Sequence, residues 1–131
     1  MPELRSDTAL VVVTCPATFF AQTETEKAGP GAFVQANDVV VGFNAPGTYT
    51  FFYLDPGEYF LASRAWHMGG LHMKLEAGKD YYFTQSLFAE GGFRPTTFLA
   101  RHSKELVMYE VGGSLWSDWS RLPDKEQGEK K

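Results

Sequence analysis

Residues 48–82, TYTFFYLDPGEYFLASRAWHMGGLHMKLEAGKDYY, constrain the fold of this chain more than any other stretch. Three turn signals interrupt aromatic and β-branched runs there: Asp55-Pro56-Gly57-Glu58, Met68-Gly69-Gly70-Leu71 and Glu76-Ala77-Gly78-Lys79-Asp80. Proline presets one turn dihedral and glycine accepts positive φ, so such clusters stop a strand and turn the chain. The segments between them have strand composition and near-even spacing, which predicts consecutive antiparallel hairpins.

The pattern extends in both directions. Residues 8–14, TALVVVT, are apolar almost throughout and predict a central strand, closed by Pro16. Further strands are expected over 32–35, 39–43 and 95–100, with Asn37-Asp38 as a turn between the first two. Residues 103–110, SKELVMYE, leave period two. They fit one or two helical turns with Ser103 as N-cap and Gly112-Gly113 as the stop, a strand being the competing reading. A chain of 131 residues is one domain on length. Short strands with little helix imply an all-β, two-sheet antiparallel β-sandwich, with a closed barrel as the alternative. The sandwich is expected to occupy residues 1–111. Residues 112–131 form a C-terminal extension, ordered in part through Trp116 and Trp119 and flexible from about 121.

Composition narrows the function classes. The net charge of −4 is spread along the chain, whereas a nucleic-acid surface needs a basic stripe. No apolar run approaches the ~18 residues of a membrane span. The valine-rich run over 9–21 contains Pro16 and follows only Arg5, so it reads as a strand rather than a signal core. The chain as it stands is expected to be soluble and cytoplasmic, or envelope-located if a signal has been removed. The single cysteine, Cys15, forms no internal disulfide and reads as a small buried hydrophobe.

The sharpest chemical constellation is a pair of histidines. A two-residue loop at Gly69-Gly70 would oppose His67 and His72, with Cβ atoms about 5 Å apart. It would put Trp66, Met68, Leu71, Met73 and Leu75 on the core face and both histidines outward. Two adjacent imidazoles can begin a metal site, but a third ligand is needed, and Lys74 on the same face repels a cation. The spacing does not fit the cupin pattern of His-x-His, Glu and a later His. No nucleophile elbow, phosphate-cradling loop or zincin motif is present. Asp55, Glu58, Glu76 and Asp80 read as turn acids. Arg64, late in a strand, reads as edge protection, with a strand end or a buried ion pair as the alternatives. Arg94 and Arg101 draw notice beside it. Trp116 and Trp119 read as anchors, or as an exposed aromatic binding platform.

Three motifs fall in order along the chain: Ala9-Leu10-Val11-Val12-Val13, Leu54-Asp55-Pro56-Gly57-Glu58-Tyr59, and Leu75-Glu76-Ala77-Gly78-Lys79-Asp80-Tyr81-Tyr82-Phe83. Together they resemble the bacterial family catalogued as domain of unknown function 2846 and, more distantly, PEGA-type surface-layer domains. The resemblance covers residues 8–110. It implies a small prealbumin- or immunoglobulin-like sandwich of the kind found in exported or lipid-anchored bacterial proteins, with no catalytic residues to carry over. The expectation is a non-enzymatic binding or scaffolding module without a cofactor. It would meet a protein or a glycan through a sheet edge or an aromatic patch, or pair with a second copy through its edges. The alternative is a metal-binding or enzymatic β-domain that uses His67 and His72.

Overall fold

A computed structural model describes residues 3–16, 31–45, 47–65, 68–88, 96–112 and 115–116. Its strands are β1 (Ala9–Cys15), β2 (Ala32–Ala36), β3 (Val39–Asn44), β4 (Thr48–Leu54), β5 (Gly57–Arg64), β6 (Met68–Leu75), β7 (Asp80–Phe88), β8 (Thr96–Arg101) and the two-residue β9 (Leu115–Trp116). Among the described residues one helix, α1 (Lys104–Gly112), precedes β9. Sheet A has the order β8-β7-β1-β4-β9 and sheet B the order β3-β2-β5-β6. The two-sheet sandwich expected from the turn spacing is therefore the fold.

The connections differ from a run of hairpins. Among the described strands only β2–β3, β5–β6 and β7–β8 are antiparallel neighbours joined in sequence. The Asp-Pro-Gly turn and the Ala-Gly-Lys turn instead step the chain between sheets, from β4 to β5 and from β6 to β7. At the second turn Gly78 has φ 78° and donates its N–H to the Thr8 carbonyl. Leu10 N–H then reaches the Lys79 carbonyl. Those two bonds launch β7 alongside β1 in parallel register, Leu10 opposite Asp80. An immunoglobulin order, with the first, second, fifth and fourth strands in one sheet, is not observed.

The turn predicted at Gly69-Gly70 is absent. Both glycines lie inside β6, which pairs with β5 from Arg64↔Met68 to Gly57↔Leu75. What they supply is close approach. A Cβ on Gly70 would strike the Leu61 carbonyl and Ala62 of β5. One on Gly69 would come within 2.8 Å of the Thr97 carbonyl, where the edges of the two sheets meet. Gly42 plays the same part on the opposite side, 2.9 Å from the Thr50 methyl. At Asn37-Asp38 the turn is as expected. Both residues have positive φ, as a two-residue hairpin of matching twist requires, and the Asn37 Oδ1 accepts the Phe60 N–H.

Period two sorts the core. Val11, Val13, Phe83, Leu61, Leu75 and Val34 point between the sheets and are buried. Leu10, Val12 and Tyr82 point the other way and are roofed by Val107, Met108 and Val111 of α1. Ser103 caps α1, its hydroxyl accepting the Leu106 N–H at 3.2 Å. At one end the inner layer turns polar. The Asn44 amide donates to the Val13 carbonyl and to Gln85 Oε1, both at 3.1 Å. The Gln85 amide donates to Ser63 Oγ at 2.8 Å and to the Ala32 carbonyl. Ser63 and Thr97 share a hydrogen bond of 2.6 Å. All four side chains are buried.

Gln85→Leu keeps the volume but strips buried Asn44 and Ser63 of a partner. It is expected to cost about 3 kcal/mol in urea unfolding. Gly70→Ala is expected to lower the midpoint further than Gly112→Ala, which meets open space.

Candidate functional site

Two surfaces gather chemistry-bearing side chains, at a corner of sheet A and on the outer face of sheet B. The corner lies where β7 starts and β8 hands over to α1. Asp80, Tyr82, Arg101, His102, Ser103 and Lys104 line an open cleft of about 620 Å³ there. The His102 N–H bonds to the Tyr82 carbonyl, which fixes the β8–α1 link against β7. Tyr82 donates its hydroxyl to Asp80 Oδ2 at 2.8 Å, and Lys104 Nζ stands 3.5 Å from the same oxygen. The Lys104 ammonium also lies over the Tyr82 ring. Arg101 lies over Tyr81, 5.2 Å from its centroid, on the core-facing side of the sheet. Burial alone would push the Asp80 carboxyl up. The Tyr82 hydroxyl, the Lys104 charge and a backbone N–H outweigh it and hold the group below the usual carboxylate range. Tyr82 is pushed up, first by burial and then by its bond to Asp80, so it stays a neutral donor.

The outer face of sheet B carries exposed Met68, His72 and Lys74 and half-buried Phe33, Phe60 and Arg64, with Phe43 buried beside Phe33. The imidazole of His72 packs on Phe60, directly opposite in the ladder, with ring centroids 4.8 Å apart. Arg64 lies over Phe33 at 5.0 Å, and Phe33 meets Phe43 edge-on. Met68 is 48% exposed.

These positions correct several expectations. His72 does not face His67, because β6 runs straight through Gly69-Gly70 and sets His72 against Phe60. His67 and Trp66 lie outside the described residues, as do Arg94 and Trp119. Met68 turns outward with His72 and Lys74, while Leu71, Met73 and Leu75 turn inward. Arg64 is the last residue of β5 and sits on the outer face with Phe60, so the strand-end alternative holds. Its strand is internal to sheet B, so it does not guard an edge. Trp116 lies in β9, opposite Tyr49 of β4. No group of three or more His, Cys, Asp or Glu able to hold a metal occurs among the described residues. Among the described residues no helix is long and apolar enough to cross a membrane.

Cys15 is buried at the end of β1, as expected of a small hydrophobe. Burial, with a smaller contribution from the Glu110 carboxylate, pushes its thiol up to about 12. Glu110 of α1 accepts hydrogen bonds from the Thr14 and Thr84 hydroxyls at 2.7 and 3.1 Å, tying the helix to the sheet. Sequence reasoning missed this clamp and the corner cleft. The signal available for the cleft was three basic residues within 101–104 of an acidic chain.

Native protein at pH 8 is expected to leave Cys15 unmodified by a thiol reagent that reacts fully after denaturation; a chromogenic disulfide reports both states. Asp80→Asn is expected to be less stable than the parent at neutral pH. A depressed carboxylate stabilises the fold above its unfolded value near 4, and that contribution is lost as pH falls through the folded value. The gap between variant and parent should therefore close in acid unfolding series.

Comparisons with protein-family models, curated proteins and solved structures found no match to this chain.

Proposed function

We propose that the protein is a non-catalytic β-sandwich that binds or scaffolds a protein partner through the outer face of sheet B. One observation carries this. Of the two outer faces, that of sheet A is roofed by α1, while that of sheet B presents exposed Met68 and His72 beside Phe60 and the Arg64–Phe33 pair. Aromatic, methionine and arginine side chains are the ones enriched where proteins meet. The placement of the reactive groups supports the non-catalytic reading. Cys15 is buried, Asp80 is held by Tyr82 and Lys104, and His72 rests on a phenyl ring. The order of the three sequence motifs supports kinship with the domain of unknown function 2846 family, and through it a place at a bacterial envelope.

A photo-crosslinking residue at Lys74, on the same face, tests the reading in cells. The expected result is one discrete adduct, abolished by Met68→Asp and absent when the crosslinker replaces Tyr109 on α1. An adduct of twice the chain mass would assign the face to self-association. Equal adducts from both positions, or an adduct indifferent to Met68→Asp, would sink the proposal. Saturable amide shifts on β5 and β6 with chitotetraose would replace the protein partner by a glycan.

A further inference from the structure

The corner cleft stands apart from the sheet B face and has its own chemistry. Arg101, His102 and Lys104 fall within four positions of a chain whose net charge is −4. All three line one concavity, with Asp80 as the sole carboxylate among the described residues that line it. That carboxylate is already engaged, because the Tyr82 hydroxyl and the Lys104 ammonium share its Oδ2. At 3.5 Å, with Lys104 largely exposed, the Lys104 contact is a loose one and leaves donor capacity on the ammonium. Arg101 has no ion-pair partner among the described residues and stands over Tyr81, so its guanidinium keeps its N–H groups for another acceptor. The two cations rim the cleft from opposite sides of the sheet end, one beside Tyr81 and one beside Tyr82. A volume of about 620 Å³ is in the range of small-molecule sites, and a polar, open lining favours a charged ligand over an apolar one.

We propose that this cleft binds a small soluble ligand through a phosphate group, held between Arg101 and Lys104. A planar carboxylate presents its two oxygens to one rim. A tetrahedral phosphate presents oxygens to both, and its charge approaching −2 answers two cations. Recognition rests on these side chains. The Ser103 hydroxyl already serves as the cap of α1.

The test is an amide-resolved NMR titration with inorganic phosphate, with chloride adjusted to hold ionic strength constant. The expected result is saturable shifts at Tyr82 and residues 101–105. Arg101→Gln and Lys104→Gln should each weaken the fitted affinity about tenfold, the loss of one charge-assisted contact. Lys74→Gln, which removes a cation from the outer face of sheet B, should leave it unchanged. Both cleft residues are exposed, so their variants are expected to fold, and an unchanged spectrum outside the corner verifies it. Shifts that rise without saturation, saturate away from the corner, or weaken as much in Lys74→Gln as in Arg101→Gln would overturn the site.

Discussion

A buried chain of amides and hydroxyls is the constraint on which the rest of this sandwich depends. Asn44, Gln85, Ser63 and Thr97 come from β3, β7, β5 and β8, and their bonds reach the backbones of β1 and β2 as well. Both sheets are thus joined at one end by directional bonds through a fully buried layer, where at the other end the Tyr59 hydroxyl donates to the Asp55 carbonyl and the Tyr81 hydroxyl accepts the Glu76 N–H near the surface. Each such bond contributes about 1 kcal/mol net, but each buried donor left unmade costs more. A one-residue slip of β7 would turn Gln85 outward toward α1 and leave several groups orphaned together. Hydrophobic burial makes the sheets stack, and this network selects one register for the stack.

With the register set, the outer faces follow. Alternation places Leu10, Val12 and Tyr82 outward on sheet A, and α1 covers them with Val107, Met108 and Val111. Glu110 adds bonds to Thr14 and Thr84 across the same contact. Sheet B carries aromatics outward too, but its chain path brings no described helix across them. The two candidate surfaces therefore have one origin. The α1 roof defines the corner cleft at its own start, and its absence from the other side leaves Phe60 and His72 facing outward.

The class of the fold was legible because turns and period-two runs are local signals. Connectivity was not, because a turn sequence says where the chain bends and not which sheet it bends into. Asp55-Pro56-Gly57 and Glu76-Ala77-Gly78-Lys79 bend between sheets, and only the distant partner Thr8 reveals this for the second. Gly69-Gly70 misled for a related reason. A glycine pair serves a turn or a close approach equally well, and the neighbours that decide, Leu61, Ala62 and Thr97, are remote in sequence. Asn44 reads as a turn former beside Pro46 and Gly47, and its burial becomes evident only once Gln85 is placed opposite. For the sites, His72 was correctly read as outward, but its partner depended on the misplaced turn. The corner cleft needed the β7–β8 register before its residues met.

The parallel pairing of β1 with β7 sets an order of events for a chain emerging from the ribosome. β1 is the most apolar strand and is buried along its whole length. One of its two neighbours, β7, is among the last strands to be synthesised. Sheet A therefore cannot close until most of the chain is free, and β1 must wait unpaired on one side. Long-range pairing of this kind slows folding and exposes a valine-rich segment to wrong partners. The strand that ends most deeply buried is thus the one that waits longest for its final neighbour.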